Sequence, residues 1–83
     1  MRSMETTTRD LFSEIGRGSQ WRPYNSHHEA LAVLWEEFEE LKVEVFKKEQ
    51  DRSIDRMYWE SLQVAAVAFS FAAQLKEHRE VTK

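Results

Sequence analysis

The chain has 83 residues, a formal net charge of -3 from 12 basic and 15 acidic side chains, and no cysteine. A domain of this size buries only about 60–65% of its unfolded surface, so we expect one domain, residues 1–83, stabilised by self-association. The lack of cysteine excludes disulfides and thiolate metal sites, and the scattered basic residues do not favour nucleic-acid binding.

Apolar runs are short throughout the chain. The first residues lack the apolar segment of a signal peptide, and no run approaches the roughly 20 residues that cross a bilayer. We therefore expect a soluble, cytoplasmic protein without membrane association.

The N-terminal part, residues 1–25, is predicted to be a short helix and a loop. Leu11, Phe12 and Ile15 share one face of a helix over residues 8–15. Both glycines and the only proline lie in residues 16–23, where they end this helix and separate it from the rest of the chain.

A second helix is predicted over residues 26–49, ending near Lys48. Ser26 and Glu29 have the spacing of a capping box, in which each side chain bonds to the backbone N–H of the other. Apolar residues then recur at spacings of three and four, which predicts a buried seam along the helix. The seam consists of Leu31, Leu34, Phe38, Leu41 and Val45.

A third helix is predicted over residues 53–78, with Asp51 or Ser53 as its N-cap. The polar connection before it is short, and short connections join antiparallel neighbours. Residues 64–69 are apolar on every side, which requires more cover than one small chain provides. We therefore expect an all-α fold: a short N-terminal helix and a long antiparallel helical hairpin, completed as a bundle in a homodimer or homotetramer.

Acidic residues recur on both predicted hairpin helices. Glu37 and Glu40 share one side of the second helix, and Glu60 and Gln63 share one side of the third. An antiparallel hairpin brings the two pairs level, so three carboxylates and one amide converge. Like charges at close range require solvent, protons or a cation. The two interpretations are a divalent-metal site and an ordinary solvated helix face.

These motifs resemble those of the all-α nucleotide pyrophosphohydrolases, the MazG-like group that includes small phage and bacterial proteins. That family carries E-E-x-x-E on one helix and E-x-x-D on the next. Here the first motif is complete at residues 36–40, and the second is Glu60-Ser61-Leu62-Gln63, with Gln63 in place of aspartate. The strings at residues 25–34 and 63–68 are also similar, so the resemblance covers roughly residues 24 to 75.

The resemblance implies a cleavage of nucleoside triphosphates to monophosphate and pyrophosphate that depends on Mg²⁺, with Mn²⁺ as the alternative ion. By the motif, Glu37, Glu40 and Glu60 are the catalytic ligands, and Gln63 takes the fourth ligand position. Gln63 offers a neutral oxygen where the family has a charged one, so metal affinity and activity should be lower.

Four further residues are candidates for nucleotide binding. Lys48, Arg52 and Arg56 cluster near the predicted turn and could contact a triphosphate, or could be ordinary helix-end and turn residues. Trp21 could stack on a base, or could fix its loop to the core.

Two functions follow from the sequence. One is a Mg²⁺-dependent nucleotide pyrophosphohydrolase weakened by Gln63. The alternative is a non-catalytic helical oligomer of the same fold that serves as a binding or assembly module.

Overall fold

The computed structural model describes residues 2–17 and 23–82. It contains three α-helices, α1 (Arg2–Arg17), α2 (His27–Val45) and α3 (Ile54–Thr82), with a 3-10 turn at Glu49–Asp51 between α2 and α3. Neither described range contains a β-strand, which confirms the predicted all-α class. Within those ranges, no helix combines the length and apolar character needed to cross a membrane.

Helix α1 is twice as long as the sequence predicted, because it begins at Arg2 rather than near Thr8. The added turns contain three consecutive threonines, although β-branched residues are poor helix formers. Their hydroxyls bond back to carbonyls one turn earlier. Thr7 donates to the Ser3 carbonyl at 2.6 Å, and Thr8 donates to the Met4 carbonyl at 2.8 Å.

The predicted cap of α2 is confirmed in one of its two halves. The Ser26 hydroxyl accepts from the backbone N–H of Glu29 at 3.0 Å. The return bond was predicted to reach Ser26, but the Glu29 carboxylate accepts from Asn25 instead. It receives the Asn25 backbone N–H at 3.2 Å and the side-chain amide at 3.1 Å. One asparagine thus supplies both donors.

Helix α2 ends at Val45, before the predicted end near Lys48. The backbone N–H of Phe46 closes the last turn on the Lys42 carbonyl. Arg52 then reaches back from the connection, and its Nε donates to the carbonyls of Val45 and Lys47 at 2.9 and 3.1 Å. These bonds satisfy helix-end carbonyls that would otherwise lack partners.

Helix α3 begins where the sequence predicted and ends later. The Ser53 hydroxyl accepts from the backbone N–H of Arg56 at 3.1 Å, which confirms Ser53 as the cap. The helix then continues through Thr82, past the predicted end near His78.

Helices α1 and α2 each pack on α3, and they do not contact each other within the described residues. The buried apolar core is correspondingly small and consists of Ala30, Leu62, Ala66 and Val67. The predicted seam of α2 is not buried in this chain, since Leu31 and Phe38 remain 54% and 52% exposed. The reason is that α2 has one helical neighbour instead of two.

The single chain covers residues 64–69 only in part, and their cover by a partner chain stays a prediction. Ala66 and Val67 are buried, but Ala68 and Phe69 are exposed. Phe69 still touches α1, because its ring meets that of Phe12 edge to face with centroids 6.1 Å apart.

Candidate metal centre

Three of the predicted site residues come together between α2 and α3. One carboxylate oxygen from each of Glu37, Glu40 and Glu60 lies within 4.8 Å of the other two. Glu37 and Glu40 are one turn apart on α2, and Glu60 faces them from α3. The local cause is the helical period, which puts residues three apart on the same side.

Two of the three carboxyl groups are partly removed from water. Glu37 and Glu60 are half-buried, whereas Glu40 is exposed. Burial, followed by the negative charge of Glu40, raises the pKa of both carboxyl groups above the usual value for glutamate. The Oε2 atom of Glu60 is buried and has no hydrogen-bond partner among the described residues. An unpartnered buried oxygen is costly, and either a cation or a proton shared with Glu40 would satisfy it.

Further negative charge surrounds this cluster. Glu36 adds to the raised pKa of Glu37, and Glu44 adds to that of Glu60. Lys47 balances part of this charge, because its Nζ donates to both carboxylate oxygens of Glu44, at 3.0 and 3.2 Å. The cluster is therefore the centre of a larger acidic patch.

The chemistry and spacing of these oxygens suit a magnesium ion. Mg²⁺ takes hard oxygen ligands at about 2.0–2.1 Å in octahedral geometry, so adjacent ligands are about 2.9 Å apart and opposite ligands about 4.2 Å apart. At most one pair among three ligands can be opposite. The three carboxylate oxygens lie within 4.8 Å of one another, so they need to move closer by up to about 1.9 Å to bind one ion. Glutamate side chains permit such a shift through rotation about their own bonds.

Gln63, the predicted fourth ligand, has a partner that the sequence did not suggest. Its Nε2 donates to Oε2 of Glu14 on α1 at 2.6 Å. Glu14 is only 8% exposed, and its other carboxylate oxygen accepts from Arg17 at 2.9 Å. The structure thus ties α1, through one buried carboxylate, to the residue that follows Glu60 by one helical turn.

Sequence reasoning missed Glu14, although a signal was present. Glu14 follows Leu11 by three residues and therefore lies on the apolar side of α1. A carboxylate at an apolar position requires a partner across the contact. Only the tertiary structure identifies that partner as Gln63, which is 49 residues away.

The predicted nucleotide-binding residues are placed as follows. Lys48, Arg52 and Arg56 are exposed and lie around the connection between α2 and α3. Nε of Arg52 is used by the α2 carbonyls, as described above. Trp21 lies outside the described residues. The nucleotide-binding role of all four residues stays a prediction.

Two cavities flank the helix pair. One, of about 600 Å³, is lined by aromatic and polar groups that include Tyr24, His27, Phe71 and Gln74. The other, of about 320 Å³, is a purely apolar hollow that we call the apolar groove. It is lined by Leu31, Leu34, Trp35, Phe38 and Val64.

Comparison with known proteins found no matching family model, no matching curated protein and no matching solved structure. The resemblance to MazG-like pyrophosphohydrolases therefore rests on the motifs of this sequence alone and stays a prediction.

Proposed function

We propose that this protein binds a divalent cation between α2 and α3 and cleaves nucleoside triphosphates in the manner of the MazG-like pyrophosphohydrolases. The observation that carries the proposal is the convergence of Glu37, Glu40 and Glu60 around a buried, unpartnered oxygen of Glu60. Sequence motif and geometry thus select the same three residues. The proposal includes a cytoplasmic location.

The proposed architecture is an antiparallel pairing of α2 and α3. Two contacts at different positions along the helix pair support it. The backbone N–H of Tyr24, before α2, donates to Gln74 near the end of α3, whereas Glu40, near the end of α2, approaches Glu60 near the start of α3. A homodimer or homotetramer would cover the apolar groove and complete a helical bundle.

In the proposed reaction, water attacks the α-phosphorus. The bond between this phosphorus and the oxygen that bridges it to the β-phosphorus breaks, and pyrophosphate leaves. The products are a nucleoside monophosphate and pyrophosphate. Bound Mg²⁺ or Mn²⁺ would neutralise phosphate charge and lower the pKa of the attacking water. The three glutamates would hold the ion. Lys48, Arg52 and Arg56 would contribute positive charge toward the phosphates.

The sequence suggests that the base of the nucleotide stacks on Trp21. The larger cavity, which Tyr24 and Phe71 line, lies too far from the three glutamates for this role. Phe71 follows Glu60 by eleven residues on α3, which is about 16 Å along the helix axis.

The test is a panel of nucleoside triphosphates incubated with the protein and Mg²⁺ or Mn²⁺. We expect monophosphate and pyrophosphate, not diphosphate and phosphate. Gln63→Asp should increase turnover, because it restores a charged fourth ligand. Glu60→Gln should abolish turnover, whereas the control Glu39→Gln should not, since Glu39 bonds instead to Trp35 and pairs with Lys42. Absence of pyrophosphate from the natural chain and from Gln63→Asp would reject the catalytic proposal.

The second candidate function is a non-catalytic assembly or binding module. Two observations favour it: Gln63 bonds to Glu14 from α1, and the apolar groove is exposed. This module would self-associate and bind a divalent cation or nucleotide without turnover. Product analysis separates the two candidates, because only the enzyme releases pyrophosphate.

A further inference from the structure

The hydrogen bond between Gln63 and Glu14 joins α1 to the residue that follows Glu60 by one helical turn. Glu14 is held at both oxygens, by Gln63 at 2.6 Å and by Arg17 at 2.9 Å. Two more contacts fix α1 against α3. The Tyr58 hydroxyl donates to Asp10, and the Phe12 ring meets Phe69 edge to face. Glu14 therefore occupies a defined position beside Gln63.

An ionised carboxylate only accepts hydrogen bonds, whereas an amide has a donating and an accepting end. The amide nitrogen of Gln63 must therefore face Glu14, and its oxygen is left for the other side. A cation is bound by an amide oxygen and repelled by the NH₂ group. The orientation of this amide thus decides whether Gln63 can be a ligand at all.

We propose that Glu14 is a positioning residue that turns the Gln63 amide so that its oxygen is offered to the cation held by Glu37, Glu40 and Glu60. This inference rests on the proposed function and assigns a role to α1 in it. The proposed role is also consistent with the pairing of Gln63 with Glu14. Aspartate at position 63 would place a second carboxylate against Glu14, whereas glutamine donates to it.

Without Glu14, the same amide has a competing orientation. Its nitrogen can turn toward the unpartnered Oε2 of Glu60, which accepts no hydrogen bond from the described residues. That bond would occupy a cation ligand and direct NH₂ groups into the site. Loss of Glu14 should therefore weaken cation binding even though Glu14 itself does not touch the ion.

The experiment is a double-mutant cycle on the full chain, with Mn²⁺ affinity measured by titration calorimetry. Glu14→Gln is made in the natural chain and in Gln63→Asp. An amide at position 14 can donate as well as accept, so it no longer fixes which end of the Gln63 amide faces it. In the natural chain we expect about a 10-fold loss of affinity, the lower end of the effect typical of groups that orient metal ligands. In the Gln63→Asp background no amide remains to be oriented, and the variant removes one of two neighbouring carboxylate charges, so we expect no loss.

A second variant separates orientation from charge. Glu14→Asp keeps the negative charge but is one methylene shorter, so it should also weaken Mn²⁺ binding in the natural chain. Asp10→Asn is the matched control. It disturbs the other polar bond between α1 and α3 and should leave affinity unchanged. Circular dichroism checks that each variant is folded, and Glu14→Asp carries the test if Glu14→Gln is not.

Three results would count against these ideas in different ways. An equal loss for Glu14→Gln in both backgrounds would overturn the positioning role, because it indicates a general charge effect. A loss in Asp10→Asn as large as in Glu14→Asp would overturn it as well, since docking of α1 would then be the cause. Absence of Mn²⁺ or Mg²⁺ binding by the natural chain would reject the metal site itself, and the inference with it.

Discussion

The contact between α1 and α3 and the contact between α2 and α3 each contain a carboxylate with a buried oxygen, but in opposite situations. At the first, Glu14 is 8% exposed and both of its oxygens have donors. At the second, Glu60 has a buried oxygen without a donor and faces two other glutamates. Both residues have a buried carboxylate oxygen, so burial does not distinguish them. The presence of hydrogen-bond donors distinguishes a carboxylate that stabilises the fold from one that is available to a ligand.

The largest effects on the free energy of unfolding should come from removing each of these two carboxylates in turn, and the two effects should have opposite signs. Glu14→Ala removes the bonds that the buried carboxylate accepts from Gln63 and Arg17 and should lower the free energy of unfolding by about 1–3 kcal/mol. Glu60→Gln should raise it when no divalent cation is present, because one of three repelling charges is removed. Urea denaturation at pH 7 with a chelator measures both changes.

The control for this pair is Glu5→Ala, an exposed position on α1. We expect a change within about 0.5 kcal/mol, as for ordinary surface substitutions. If Glu14→Ala and Glu60→Gln changed stability in the same direction, the contrast between the two carboxylates would be wrong.

A divalent cation should supply the partner that the carboxylates between α2 and α3 lack. Mg²⁺ at ten times its dissociation constant should add about 1.4 kcal/mol to the stability of the natural chain, because it binds the folded state alone. Glu40→Gln should lose this gain. Thermal melts with and without Mg²⁺ measure it. An equal gain in Glu40→Gln and the natural chain would place the ion elsewhere.

A smaller effect is expected from pH. The pKa values of Glu37 and Glu60 are raised on folding, so below neutrality the folded state holds more protons than the unfolded state. Stability of the metal-free protein should therefore increase as pH falls from 7 toward the ordinary glutamate pKa. Protons compete with the cation, so the gain from Mg²⁺ should shrink over the same range. Melting temperatures from pH 7 to 5 test both trends, and a metal-free chain that loses stability throughout would contradict the first.

The smallest effect on folding should occur at the apolar groove. Leu31→Lys changes a side chain that is 54% exposed, so the stability of the isolated chain should move by no more than about 0.5 kcal/mol. Self-association should weaken strongly, because a charge would be buried in the contact. Sedimentation velocity compares Leu31→Lys with the control Ile54→Lys, which alters an 80% exposed residue outside the groove and should leave self-association unchanged. A natural chain that is monomeric at micromolar concentration would reject self-association through this face.

Local sequence signals predicted much of the fold. The capping role of Ser26 and Ser53 and the all-α class follow from short-range chemistry and are confirmed. Helical spacing also selected Glu37, Glu40 and Glu60, whose oxygens lie close together in the structure. Their role as metal ligands stays a prediction.

The errors arose where distant parts of the chain decide the outcome. Periodicity predicted a buried seam through Leu31 and Phe38, but burial depends on how many helices surround α2. Spacing alone could not pair Gln63 with Glu14, because α1 and α3 are separated by the whole of α2 in sequence. The early start of α1 is a separate, local case, in which threonine hydroxyls bond to carbonyls of their own helix.

The two bonds from Arg52 to the end of α2 have a consequence for ion selectivity. Glu60 lies six residues into α3, about 9 Å along its axis, so a change of about 10° between the helices displaces it by about 1.6 Å. Opposite ligands are about 4.2 Å apart around Mg²⁺ and up to about 5.2 Å apart around Ca²⁺. By restraining the connection at the carbonyls of Val45 and Lys47, Arg52 restrains that angle. If the proposed centre binds metal, Arg52 contributes to the choice between Mg²⁺ and Ca²⁺ without touching the ion, because the displacement of about 1.6 Å exceeds the roughly 1.0 Å by which their opposite ligands differ in separation.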